Sequence, residues 1–415
     1  AGSRTYRMID SRPQSAAGAN DRTPVQQLSD FSLVAGGPLY QFWRRTRLSG
    51  DALELPQRRV LVLVVLIWLP LLVLSMIEGR AWGNGLALPF LHDIETHLRL
   101  LIAAPLLILA EVVAHRTLYP IVRQLVDNGV ISDDVRPQFD AAIASALRLR
   151  NSVVVELLLV VFVYAVGMPL VWRDQLALDV NSWYATVAGG ELHPSSAGRW
   201  LVYVSMPVLQ FLTLRWYFRF FVWGRFLWQV SRMQLNLEPT HPDGTAGLLF
   251  LARCGRAYRF VLLALGTMLS GMIANRIFHD GATLLEFKVE IVVAVVVFVL
   301  MIMGPLIFFY PKLRAARRQG MMNYGALGQA YAREFNRKWL RGQLPGDEPF
   351  LSSADFQSLA DLHNGFQLVR GIRLVPFTTK TVTSLAMTLL LPVAPLVLTM
   401  FSVEQLIDRV LKTLL

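Results

Sequence analysis

Long apolar runs bounded by charged or turn residues divide this chain into about seven segments, at 60–77, 98–115, 153–171, 200–222, 258–277, 289–310 and 382–401. Each approaches or exceeds the ~20 residues that cross ~30 Å of hydrocarbon. A backbone immersed in oil must satisfy its own hydrogen bonds, so each run is predicted to be a helix. The expected fold class is an all-α, polytopic integral membrane protein. Residues 60–311 hold the first six spans with short loops, and 381–401 the seventh.

Between the last two spans the pattern changes from continuous to periodic. Tyr324, Leu327, Tyr331, Phe335 and Trp339 recur at steps of three and four, which places them on one helical face, although Gly320, Gly325 and Gly328 weaken that helix. A turn at Pro345-Gly346-Asp347 follows, and Ser352 with Asp355 is placed to cap a second helix carrying Phe356, Leu359, Leu362, Phe366 and Val369. Residues 312–380 are therefore predicted to form a small cytoplasmic helical hairpin.

Residues 1–35 are polar and small, too poor in large apolar groups to offset the entropy of ordering, and predict a disordered cytoplasmic leader. Residues 36–59 mix Tyr40, Phe42 and Trp43 with Arg44, Arg45 and Arg47, as an interfacial segment or a juxtamembrane loop would. In 402–415, Ser402 and Gln405 form a possible capping box ahead of Leu406, Ile407, Val410, Leu411 and Leu414, the pattern of a short amphipathic C-terminal helix.

Composition agrees with a bilayer as the main partner: 54% of residues are hydrophobic, 17% are charged and mean hydropathy is +0.44. A formal charge of +11 would suit nucleic acid in a soluble protein. In a multi-span chain it reads instead as basic residues beside anionic lipid on the cytoplasmic side, and no nucleic acid partner is expected. Most of the 40 Lys and Arg fall on the side where the first span begins, which predicts a bacterial inner-membrane protein with a cytoplasmic amino terminus and a periplasmic carboxyl terminus. The single Cys254 allows no intrachain disulfide. No phosphate-binding Gly-rich loop, metalloprotease pair or nucleophile elbow is present, so no enzyme activity, cofactor or metal is expected.

Three spans carry ionisable residues, Glu111, Glu156 and Arg215. Counted from the cytoplasmic ends at ~1.5 Å per residue, each lies roughly 6–10 Å below the interface. At a common depth the Arg215 fork could meet one carboxylate and leave the other to bind a proton or cation; alternatively Arg215 only snorkels to the interface. Arg219 and Arg225 would set a positive potential at the mouth. Pro70, Pro105, Pro169, Pro207, Pro305, Pro392 and Pro395 predict kinked spans, and Gly266, Ser270, Gly271 and Ala274 a close helix approach.

Two further clusters could hold anions. The turn at 238–247 brings His241 and Asp243 ahead of a helix with Arg253 and Arg256, a candidate for a phosphate or lipid headgroup. Arg314, Arg317 and Arg318 offer a basic face for anionic lipid. The charges Glu95, His97, Arg99, Arg276, Glu286, Lys288 and Glu290 mark the outer membrane edge. The function expected is a channel or transporter for ions or small solutes, forming a homo-oligomer. The alternative is a membrane scaffold or regulator that binds anionic lipid or a cytoplasmic partner, and a third reading is a lipid-modifying enzyme using His241 and Asp243.

Overall fold

The computed structural model describes residues 32, 34, 36, 56–83, 86–170, 182–188, 191–341 and 354–400. The expected leader and interfacial segment lie almost wholly outside these residues, and the Pro345-Gly346-Asp347 turn, the Ser352 cap and the 402–415 helix lie wholly outside them. The described chain is built from helices. In order they are α1 (Pro56–Ile77), α2 (Ile94–Asp127), α3 (Arg136–Arg150), α4 (Val153–Leu170), α5 (Met206–Arg232), α6 (Arg259–His279), α7 (Leu284–Leu340), α8 (Ala354–Arg370) and α9 (Thr379–Leu390). One short antiparallel ribbon, β1 (Ala185–Ala188) with β2 (Glu191–Pro194), precedes α5.

Five helices, α1, α2, α4, α6 and α7, are long and apolar enough to cross a membrane, or six if α9 is joined across a 63° bend to the turn Ala394–Met400. The expected run at 200–222 does fold as helix, within α5 and the two short helical segments before it, but is not among those that qualify. Its interior is too polar, since Gln210, Arg215 and Arg219 interrupt the apolar positions.

Two of these polar positions, Arg215 and Arg219, face the interior of the bundle. Arg215, Trp216, Arg219, Phe220, Trp223 and Phe226 are all buried. The Trp216 indole donates to the Leu107 carbonyl of α2 at 3.0 Å, and Phe226 meets Phe139 of α3 with ring centroids 6.0 Å apart. The α4 stretch Val153–Phe162 has no buried residue. It presents Val154, Leu157, Leu158, Val161 and Phe162 outward, as a helix at a lipid-facing rim would.

Three helices carry a widened π turn two residues before a proline: Leu98–Ala103 ahead of Pro105, Val163–Gly167 ahead of Pro169, and Leu201–Ser205 ahead of Pro207. A proline cannot donate to the preceding turn, and shifting the register by one residue re-pairs the carbonyls it frees. Pro395 likewise has no amide to offer the Pro392 carbonyl in the 3-10 turn, and the Ser270 hydroxyl of α6 donates to that carbonyl at 2.7 Å instead.

The 57 residues of α7 correspond to about 85 Å, far more than a bilayer needs. The excess pairs with α8. Phe356 packs edge-on against Phe335, with ring centroids 4.9 Å apart, and at a tilt against Trp339 at 5.3 Å, and Lys338 meets Asp355 at 2.7 Å.

Candidate functional site

Glu111 stands on the buried face of α2 and receives three guanidinium groups. Arg59 of α1 donates from Nη1 to Oε2 at 3.1 Å, while Oε1 accepts from Arg215 Nη1 at 3.1 Å and Arg219 Nη2 at 2.7 Å. Arg215 also reaches Glu156 of α4, Nε to Oε1, at 3.5 Å. Arg59, Glu111, Arg215 and Arg219 are each no more than 6% exposed, so these charges interact with little screening by water. Arg215 and Arg219 converge because residues four apart share a helix face. Arg219 additionally lies over the Trp216 ring, 4.7 Å from its centroid.

The structure thus brings together Glu111, Glu156 and Arg215 and corrects two expectations. Arg215 bridges both carboxylates rather than leaving one open. Arg219 is not at the mouth; it is inside the cluster, because the helix turns it onto the same face as Arg215. Arg225, also expected at the mouth, donates to Ser145 of α3 at 2.9 Å. Arg59 was missing from the sequence reading because it sits beside Arg58 in the polar lead into α1. The available signal was its spacing, four and eight residues before the buried Leu63 and Ile67.

The cluster separates two spaces. On one side is a cavity of about 310 Å³ bounded by α1, α2, α4 and α5, with Leu63, Ile108, Val163, Phe211 and Leu212 as walls and Arg59, Glu111 and Arg215 as its charged end. On the other is a gap of about 10 Å³ among Arg150, Glu156, Arg219 and Phe218. Among the described residues the cluster sets three guanidinium groups against two carboxylates.

A second site lies where α6 and α9 begin. His241, Asp243, Arg253 and Arg256 line one basin of about 590 Å³ together with Arg259, Thr378, Lys380 and Thr381. Asp243 organises its rim. Its Oδ1 accepts from the Thr245 amide at 2.8 Å and the Gly247 amide at 3.1 Å, and its Oδ2 from the Leu249 amide at 3.0 Å. These bonds hold Ala246 at φ 52°, the one non-glycine with positive φ among the described residues. Arg314, Arg317 and Arg318 are not part of this basin; they lie on α7, in the stretch that leads towards α8. Among the described residues no three His, Cys, Asp or Glu side chains group to hold a metal.

Burial pushes the Asp243 carboxyl up, but the three amides outweigh it and hold the group below the ordinary aspartate value of 3.8. A depressed folded value stabilises the loop fully above the unfolded value and loses that contribution as pH falls through the folded one. Protection of the Thr245, Gly247 and Leu249 amides, measured as exchange relative to the intrinsic rate at each pH, is therefore expected to hold at neutral pH and to fall only below about 3.8. Asp243→Asn should lower that protection at every pH, and equal protection in variant and parent would contradict the assignment.

No protein-family model, curated protein or solved structure matches this chain.

Proposed function

We propose that the protein is a membrane channel or transporter for small anionic solutes, gated by the Arg215 bridge between Glu111 and Glu156. The observation that carries this is the position of the bridge, between the 310 Å³ cavity and the small gap on its far side. A charged cluster in a span is costly to maintain, and ionisable residues there face the bundle interior or a water-filled cavity and mark paths for polar species. Apolar walls with one cationic end suit an anion that carries a hydrophobic body.

The tie most able to open is Arg215 to Glu156, because α4 is the least buried of the helices that meet at the cluster. An anion entering the cavity competes with Glu156 for Arg215 and frees α4 to swing outward. Two lighter ties would hinge it: Gln210 to the Gly167 carbonyl at 3.1 Å and Tyr164 to the Tyr203 carbonyl at 3.2 Å. In this reading the span count is seven, with α5 shielded from lipid by its neighbours. The protein sits in a bacterial inner membrane with the α7–α8 arm in the cytoplasm, and the outward apolar face of α7, with Val289, Val292, Val296 and Leu300, serves as the contact surface of a homo-oligomer.

Purified protein in liposomes tests this with chloride and hexanesulfonate, an anion too acidic to cross as a neutral species. Glu156→Gln is expected to raise hexanesulfonate flux several-fold by weakening the closed state. Arg215→Gln is expected to abolish it. Vesicles that stay tight to both anions in all three proteins would refute the proposal. They would favour a scaffold that uses the α7–α8 pairing and the exposed Arg314 and Arg318.

A further inference from the structure

We infer that the basin between the 238–249 loop, the start of α6 and the start of α9 binds the phosphate of an anionic ligand at the membrane edge. The inference is independent of the transport reading, since none of its residues belongs to the Glu111 cluster.

The first support is charge. Arg253, Arg256, Arg259 and Lys380 all line the basin, and among the described residues Asp243 is its single carboxylate. Asp243 spends its oxygens on the amides of Thr245, Gly247 and Leu249, and its one negative charge is outnumbered by the four cations. Among the described residues neither Arg253 nor Arg256 has a carboxylate partner, and Arg259 donates only to the Ser384 hydroxyl, at 3.1 Å. Four cations held around one concavity repel each other, and an anion between them relieves that repulsion.

The second support is how the backbone delivers them. Arg253, Arg256 and Arg259 are three residues apart across the turn Leu249–Arg253, the short helix Cys254–Ala257 and the first residue of α6, a spacing that keeps them on one side in tight helical turns. Lys380 arrives from a distant part of the chain, because α6 and α9 pack side by side with Gly266 against Leu389. Both helices start at the basin, so the positive ends of both backbones point the same way as the side chains. The Thr378 hydroxyl, the cap of α9, lies on the same wall.

The third support is depth. α6 is a span candidate and α9 is part of one, and both begin here; the basin therefore sits at the headgroup layer, with Leu249, Phe250 and Leu385 as its apolar side. Guanidinium groups pair with phosphate through two parallel hydrogen bonds, and the apolar side suits the glycerol and first methylenes of a lipid. The shared chemistry is a phosphate ester, supplied by a phospholipid headgroup or a soluble phosphate compound.

Native mass spectrometry of the full chain released from nanodiscs tests the site with phosphatidate against phosphatidylcholine. Phosphatidate is expected to be retained on the order of tenfold better. Arg253→Gln with Arg256→Gln should weaken its retention roughly fivefold per charge removed. Lys380→Gln, an exposed single change on a different helix, should weaken it by a similar factor and cannot act by unfolding the 238–249 loop. Glycerol phosphate added at millimolar concentration separates the two sources: displacement of phosphatidate assigns a soluble phosphate ester, and retention assigns the lipid. Retention of phosphatidate no better than phosphatidylcholine would overturn the site. So would a preference that survives all three substitutions, or one lost instead on changing Arg314, Arg317 and Arg318 to glutamine.

Discussion

Glu111→Gln should destabilise the protein more than any other single polar substitution in the bundle. The carboxylate is the common acceptor for Arg59, Arg215 and Arg219, and all three guanidinium groups are buried. Glutamine keeps the shape but removes the charge, and its amide presents N–H groups to donors. Removing one partner from a buried ionic group typically costs about 3–5 kcal/mol, and here one substitution removes a counter-charge that three cations share, although Arg215 keeps Glu156. Thermal unfolding in detergent, followed by tryptophan fluorescence, is expected to show a midpoint lower by on the order of 5 °C or more. The double change Glu111→Gln with Arg219→Gln should recover part of the loss, because it lowers the uncompensated charge by one. A midpoint unchanged by Glu111→Gln, or a double variant worse than the sum of both singles, would show that the cluster is not held by this carboxylate.

How far the sequence foretold this arrangement depends on the scale of the signal. Hydropathy located α1, α2, α4, α6 and α7, because a run of apolar residues about as long as a bilayer is thick has few other uses. The common depth of Glu111, Glu156 and Arg215 also followed from counting along helices. Partner choice did not follow, since nothing local tells α1 to lie against α2 and bring Arg59 to Glu111. Helix α3 lacks a hydropathy signal because Arg136, Gln138, Asp140, Arg148 and Arg150 keep it polar, although Phe139, Ala142, Ile143 and Ala146 carry the three-and-four spacing of a buried face. The α7–α8 pairing was legible in the aromatic spacing at Tyr331, Phe335 and Trp339, which meet Asp355 and Phe356. The basin was half legible. Arg253 and Arg256 are neighbours in sequence, whereas Lys380 joins them only through the packing of α6 on α9.

That packing can be tested at one atom. A Cβ on Gly266 would overlap the Leu389 carbonyl oxygen and lie 3.3 Å from the Pro392 ring. Neither neighbour can rotate aside, because one is backbone and the other a proline at the 63° bend. Gly266→Leu is therefore expected to separate α6 from α9, break the Ser270 bond to the Pro392 carbonyl and cost about 3 kcal/mol or more through overpacking and the lost bond. Gly325→Ala and Gly328→Ala supply the opposite sign. Nothing lies within 4 Å of a Cβ at either position, and replacing glycine in an exposed helix stabilises by up to about 1 kcal/mol. Unfolding midpoints measured side by side should therefore move down for Gly266→Leu and up or not at all for the two alanine variants. If Gly266→Leu matched the parent protein, α6 and α9 would not touch at this level, and Lys380 would have no route to Arg253 and Arg256.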